Sequence, residues 1–277
     1  MNFIKMHGLG NDFILTHEVS AGTVKSVAKQ AVTLCDRRKG IGADGIIFVL
    51  PSQKADLRMC IFNSDGSEAE MCGNGIRCFA LYVKLLNLND IPSLTIETPA
   101  GNIKTEFIDE DHIKVNMGKP ILEASRIPVA KTAGRVLNKE IIIDGNSFKF
   151  NAVSMGNPHA VIYACELTDE LVLGQGPKIE KHPMFPRKIN VEFIKVLSDN
   201  EIEMRVWERG CGETQACGTG ACASVVSGIL SNRHGKNVTV NLPGGKLQVE
   251  WSGNDDDPVY MTGPARKVFQ GQIDLNL

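Results

Sequence analysis

The chain has 277 residues, room for about two domains of ordinary size, and its 43% hydrophobic and 22% charged residues are too apolar a mixture for a disordered protein. Thirty Lys and Arg against 32 Asp and Glu leave a formal charge of −2, which excludes the one-sided field of a polyanion or anionic-membrane binder. No apolar run approaches the ~20 residues that cross a bilayer, and the opening MNFIKMHGLGND lacks the n- and h-regions of a signal peptide, so the expected location is the cytoplasm.

In chain order, the patterning predicts strands over 3–6 and 13–17, a helix over 24–35, and strands over 46–50 and 57–62. A helix over 75–86 follows, then strands over 94–98, 113–117 and 141–143, and a helix within 167–179. Strands over 191–196 and 203–207, a helix over 221–230, and strands over 238–242 and 247–251 complete the reading. Sheet dominates. Ile76, Phe79, Ala80 and Val83, and again Ala221, Cys222, Val225, Val226 and Ile229, follow helical spacing with hardly more polar opposite faces, so both helices should be buried nearly all round. Gly40-Ile41-Gly42-Ala43-Asp44-Gly45 fits G-x-G-x-x-G, but a helix precedes it and a strand follows, the reverse of a dinucleotide site. Arg37-Arg38-Lys39 reads as a solvated helix end.

An internal repeat organises the chain. Cys72-Gly73-Asn74-Gly75 and Cys217-Gly218-Thr219-Gly220 lie 145 residues apart, and nine residues before each Cys a polar residue ends a strand, Asn63 and Glu208. Gly45 aligns with Asn190 at the same offset, and Gly10-Asn11 with Gly156-Asn157 at one residue more. Four anchors in one order argue for duplicated halves, each a strand-rich unit wrapped on one buried helix with a Cys at its N-terminus. The join is placed near Gly118-Lys119-Pro120, giving halves 1–117, completed by 264–277, and 118–263.

Eight cysteines are too few for a disulfide scaffold of this length. Cys72/Cys78 and Cys211/Cys217 share a spacing with five intervening residues, whereas structural zinc sites prefer two to four, so no metal is expected. A Cys ahead of Gly-x-Gly and a helix sits where first-turn N–H groups and the helix dipole favour negative charge. That placement should lower its pKa and lets the same turn hold a carboxylate. Two such turns facing one another would hold a substrate carboxylate with a sulfur on either side of the α-carbon, which suits a two-base racemase or epimerase. No Lys stands out as a Schiff-base former, and no cofactor is expected. The reading from another class is a zinc-binding or redox-relay thiol protein. Cys35, Cys60, Cys78, Cys165 and Cys222 are expected to be buried and inert, and Cys211 is ambiguous.

The segments FIKMHGLGNDFI, NSDGSEAEMCGNGIRC, GNPHAV and ERGCGETQACGTGAC, with GIGADG and INVEFI, resemble the diaminopimelate epimerase family over nearly the whole chain. Proline-racemase-like relatives share the paired Cys but typically carry His where Asn74 stands. The resemblance implies an α+β fold of two similar halves, each a barrel-like mixed sheet around a central helix, with the site in the interdomain cleft. It also implies a cofactor-independent isomerase of lysine and peptidoglycan-precursor synthesis acting on LL- and meso-diaminopimelate. By the family pattern Cys72 and Cys217 are the acid/base pair, and Gly73, Asn74, Gly218 and Thr219 cradle a carboxylate. Asn11, Asn63, Asn157, Asn190, Glu208 and Arg209 contact the rest of the substrate, and His159 and Glu208 tune the thiols. The implied partner is a small molecule, with no nucleic acid or membrane, and a homodimer is left open. Where many members carry a substrate-contacting Gln, this chain has Gly45, so that contact falls to backbone or water.

Overall fold

The computed structural model describes residues 1–20, 22–89 and 91–274. Its contacts divide the chain into two compact units, Met1–Val115 with Thr262–Leu277, and Asn116–Met261. Residues 275–277, the end of the segment expected to return to the first half, lie outside the described residues.

In the first unit β1 (Asn2–Gly8) and β2 (Asn11–Thr16) form an antiparallel hairpin. Its two-residue turn puts Leu9 and Gly10 at φ 55° and 89°, the left-handed pair that a tight hairpin requires. Two short helices, α1 (Val24–Ala28) and α2 (Ala31–Cys35), precede β3 (Gly45–Pro51), which runs parallel to β2. One continuous helix was expected over 24–35. The chain turns at Gln30 instead, which lets Val24, Val27 and Ala28 and then Ala31, Leu34 and Cys35 all enter one apolar cluster. Next come β4 (Leu57–Asn63), the short β5 (Glu68–Ala69), α3 (Gly73–Leu85), β6 (Ser93–Thr98), β7 (Gly101–Phe107) and β8 (His112–Asn116). Residues 73–83 of α3 are all buried, and the helix lies against β1, β2, β3 and β4.

The second unit repeats this plan. It holds β9 (Val136–Ile143), β10 (Asn146–Ser154), β11 (Pro158–Tyr163), α4 (Gly176–Glu180), β12 (Asn190–Ser198), β13 (Glu201–Glu208) and β14 (Gly212–Glu213). These are followed by α5 (Gly218–Leu230), β15 (Asn237–Leu242), β16 (Gly245–Glu250), β17 (Tyr260–Pro264) and, returning to the first unit, β18 (Arg266–Gln272). The expected helix within 167–179 is a π-helical turn, Glu170–Gln175, that runs into α4.

Strand pairing carries the duplication. The sequence of pairings β1–β2 antiparallel, β2–β3 parallel, β3–β4 antiparallel and β4–β6 parallel recurs as β10–β11, β11–β12, β12–β13 and β13–β15. Registers agree as well: Phe13 pairs with Gly45 as His159 does with Asn190, and Ile46 with Phe62 as Val191 does with Trp207. β18 lies antiparallel to β1, the place that β9 takes beside β10. The architecture is α+β, a mixed sheet with few helices, and each unit has one apolar helix against its sheet. Sequence patterning passed over β7, β10, β11, β17 and β18. β10 is exposed over its first half, β11 starts on a proline, which strands tolerate only at such positions, and β18 is largely exposed and held by its backbone pairing.

Candidate active site

The two repeated cysteines cap the two central helices. Cys72 and Cys217 are extended (φ −141° and −121°), and each sulfur accepts a hydrogen bond from the backbone N–H three residues on, Gly75 at 3.5 Å and Gly220 at 3.4 Å. Gly73, Asn74, Gly218 and Thr219 form the first turns, the part of a helix where backbone N–H groups lie outside its own hydrogen-bond ladder. The fourth residue of each motif, Gly75 and Gly220, must be small. A Cβ on Gly75 would stand 3.1 Å from Ile47 Cδ1 and 3.3 Å from Ile61 Cδ1, and one on Gly220 would stand 2.7 Å from Glu192 Oε1.

In the first unit Asn11 joins the capping residue to a charged network. Its Oδ1 lies 3.6 Å from Cys72 Sγ and accepts from Asn74 Nδ2 at 3.2 Å, while its Nδ2 donates to Asp44 Oδ2 at 2.8 Å. Behind it Asp12 binds Lys5 at 2.9 Å and Arg37 at 2.8 Å. Burial works to raise Asp12, but hydrogen bonds from Arg37 and Lys5 outweigh it and hold the carboxyl at about 2. The fully buried Arg77 donates to Gly73 O at 2.9 Å, Asn74 Oδ1 at 2.9 Å and Pro264 O at 3.2 Å, tying down the first turn. Asn63, at the end of β4, is exposed and donates to Ser67 Oγ at 3.0 Å. Gly45 pairs with it, and a Cβ there would meet Phe62 O at 2.6 Å, so β3 and β4 approach too closely at this point for any side chain.

In the second unit His159 and Glu192 are fully buried together. The His159 ring bridges Glu192 Oε1, 2.7 Å from Nδ1, and Asn157 Oδ1, 2.9 Å from Nε2. Asn190 is a structural tie: Nδ2 donates to Pro158 O at 2.8 Å and Oδ1 accepts from the Arg209 backbone at 2.9 Å. Glu208 is half-buried and accepts from Thr214. Burial raises its carboxyl above the usual range, against the pull of the Thr214 hydroxyl and His159. Arg209 is exposed, with its guanidinium 3.4 Å from Arg187 O; among the described residues it pairs neither with Glu208 nor with another carboxylate.

Helix-end placement was expected to lower both thiols. At Cys217 the direction is reversed: burial, then Glu208, then Glu192 push the thiol well above its usual value, against the Thr219 hydroxyl and the Gly220 N–H. The other cysteines divide. Burial pushes Cys35 to about 11 and Cys78 to about 12 and raises Cys60, and Cys222 is also buried; Cys165 is exposed, contrary to expectation, and Cys211, whose reading was open, is exposed too. Sequence reasoning passed over Glu192. The signal was available: it is a lone charge between Val191 and Phe193 at the repeat position where the first half has Ile47.

A family model described as diaminopimelate epimerase matches residues 3–123 and 151–268. The diaminopimelate epimerase of Moorella thermoacetica is 52% identical over 280 residues, covering 100% of both chains. That of Desulfitobacterium hafniense is 50% identical over 279 residues, 99% of this chain and 98% of its own. The chain belongs to the diaminopimelate epimerase family. Among solved structures, a hydroxyproline epimerase from Agrobacterium vitis superposes with a TM-score of 0.69 at 18% identity, covering 99% of this chain and 90% of its own. At that identity the likeness shows the fold, which members of the diaminopimelate epimerase family thus share with epimerases of other amino acids.

Proposed function

We propose that this chain is a cofactor-independent epimerase that interconverts LL- and meso-2,6-diaminopimelate by two-base proton transfer, with Cys72 and Cys217 as acid and base. The observation that carries the reading is the pair of sulfurs capping equivalent helices in duplicated units. One thiolate takes the α-proton, and the other cysteine delivers a proton from its S–H to the opposite face of the same carbon, so the chemistry needs one sulfur on each side. The first-turn N–H groups at Gly73, Gly218 and Thr219 are suited to the α-carboxylate, where negative charge develops as the proton leaves. Asn11, Asn63, Asn74, Asn157 and Asn190 complete the proposed substrate cradle, with Asn190 acting through the backbone it ties.

Substrate choice belongs to Glu208 and Arg209. Diaminopimelate carries a second amino-acid group whose carboxylate suits a guanidinium fork and whose ammonium suits a carboxylate. The exposed Arg209, which has no carboxylate partner among the described residues, supports this assignment over that of a surface ion pair. The proposed setting is the cytoplasm, with neither nucleic acid nor membrane as partner; no helix among the described residues is long and apolar enough to cross a membrane. Incubation with LL-diaminopimelate in heavy water, following the α-proton by NMR, tests the reading. Loss of the α-proton signal with appearance of the meso isomer is expected, and an undiminished α-proton signal refutes it.

A further inference from the structure

The two cysteine-capped helices are packed against different chemistry. Behind Gly75, the repeat position in β3 is Ile47, fully buried and apolar. Behind Gly220 the equivalent residue of β12 is Glu192, just as fully buried, with one carboxylate oxygen on His159 Nδ1 and the other, Oε2, without a hydrogen-bond partner among the described residues. A similar change occurs one strand over, where Phe13 of β2 matches His159 of β11. The second unit thus holds a buried acid–imidazole pair where the first holds two hydrocarbon side chains.

That pair adjoins the reacting sulfur. A Cβ built on Gly220 would lie 2.7 Å from Glu192 Oε1 and 3.2 Å from Cys217 Sγ, so carboxylate and sulfur stand around one point, no farther apart than the two distances together. At such separation in a buried setting, a fixed negative charge strongly disfavours a second one. The titratable groups facing Cys217 are Glu192 from β12 and Glu208 from β13, with His159 from β11 bound to Glu192. The other strands against α5 leave the sulfur alone: β16 turns Leu247 and Val249 inward with Lys246 and Glu250 on its other face, and Lys149 of β10 is exposed.

We propose that Glu192 is a positioning residue of this site: its carboxylate, anchored by His159 and set against the first turn of α5, keeps Cys217 protonated in the resting protein and so makes it the resting acid. This assignment rests on the two-base reading above. In a two-base reaction one cysteine must start with a proton and the other without, and two thiol mounts of identical environment would leave that choice unmade. The high position of the Cys217 thiol, to which Glu192 contributes after burial and Glu208, agrees with it.

The test is Glu192→Gln in the full chain, a change that keeps the size and the hydrogen-bond acceptor facing His159 but removes the charge. Iodoacetamide alkylation from pH 6 to 10, with each cysteine followed by peptide mass mapping, reads ionisation without substrate. Cys217 should react at least about tenfold faster at pH 7.5 in the variant, the equivalent of one pKa unit. The kcat profile with diaminopimelate should shift to lower pH with KM held within about twofold. An unchanged Cys217 profile in a folded variant overturns the proposal. If the variant fails to fold, alkylation of the wild-type protein decides: Cys217 should become reactive only at higher pH than Cys72, and a Cys217 that reacts at the same pH as Cys72 or below it overturns the proposal. Because alkylation uses no diaminopimelate, failure of the heavy-water exchange test removes the epimerase reading and leaves the Cys217 result distinct.

Discussion

Replacing the fourth residue of each cysteine motif, Gly75 and Gly220, by alanine should give different results in the two halves. Alanine is worth about 1 kcal/mol over glycine in a helix interior, so a substitution that fits would be neutral or stabilising. At Gly75 the new methyl meets the Cδ1 atoms of Ile47 and Ile61 at 3.1 and 3.3 Å, ends of flexible side chains that need to yield a few tenths of an ångström. Gain and crowding then nearly cancel, and Gly75→Ala should stay within about 1 kcal/mol of wild type. At Gly220 the methyl stands 2.7 Å from Glu192 Oε1, 3.1 Å from Met204 Cε and 3.2 Å from Cys217 Sγ, and the oxygen cannot retreat without losing His159. Overpacking costs about 1–3 kcal/mol and a strained hydrogen bond to a charged group about 1.5–3, so the net loss should be about 2 kcal/mol. Thermal unfolding followed by circular dichroism should show Gly220→Ala melting about 4–8 °C below wild type. A Gly220→Ala protein that melts with wild type, or a Gly75→Ala protein that falls farther, would refute the packing argument.

Other expectations are more direct. Cys72→Ala and Cys217→Ala should each lose at least about 10²-fold in kcat, the usual worth of one acid/base group, whereas Cys60→Ser keeps activity; substantial turnover in Cys217→Ala would end the two-base scheme. Arg209→Lys should raise KM for diaminopimelate about tenfold or more through loss of the guanidinium fork, and unchanged kinetics would return Arg209 to an ordinary surface role. Asp12 has a folded-state value of about 2, below its ordinary 3.8, so its stabilisation is present above about pH 4 and is lost as pH falls through 2. Solvent around the exposed Arg37 partner screens part of that shift, so the loss should be about 1 kcal/mol; urea unfolding of wild type and Asp12→Asn at pH 4 and at about pH 2 should show a smaller acid loss in the variant, and equal losses would remove Asp12 from the account.

Much of the candidate site was legible because its signals are local. A Cys before Gly-x-Gly specifies an N-cap with open first-turn donors wherever it occurs, and 145-residue periodicity tied the two copies together. The helix over 24–35 misled because its apolar spacing is continuous; only the cluster it enters shows why the chain turns at Gln30. Cys217 misled for a reason of magnitude. A helix end offers a charged group about 0.3–1 kcal/mol at an exposed site, while full burial beside carboxylates from two other strands costs the thiolate more. No pattern around residue 217 announces Glu192, which comes 25 residues earlier and reaches the sulfur only through the register of β12 and the bare face of Gly220.

Duplication explains the two sulfurs but not the division of labour proposed for them. Doubling a strand-rich unit delivers two identical thiol mounts, and the shared pairings show how little the backbone has drifted since. Identical mounts would hold their protons equally, whereas epimerisation needs one donor and one acceptor at the start of each turnover. The differences between the halves fall where they bear on that need: Phe13 against His159, Ile47 against Glu192, Asn63 against Glu208, and, on the helices themselves, the buried cation Arg77 against Cys222. Three of these four exchanges move charge in one sense, cationic near Cys72 and anionic near Cys217, and the fourth, Phe13 against His159, supplies the ring that anchors Glu192. A buried charge costs too much to persist at a position where Ile47 shows that hydrocarbon serves the fold equally well. Glu192 is therefore best understood through the proton on Cys217, and the Gln variant, which keeps the shape and removes only the charge, separates that role from packing.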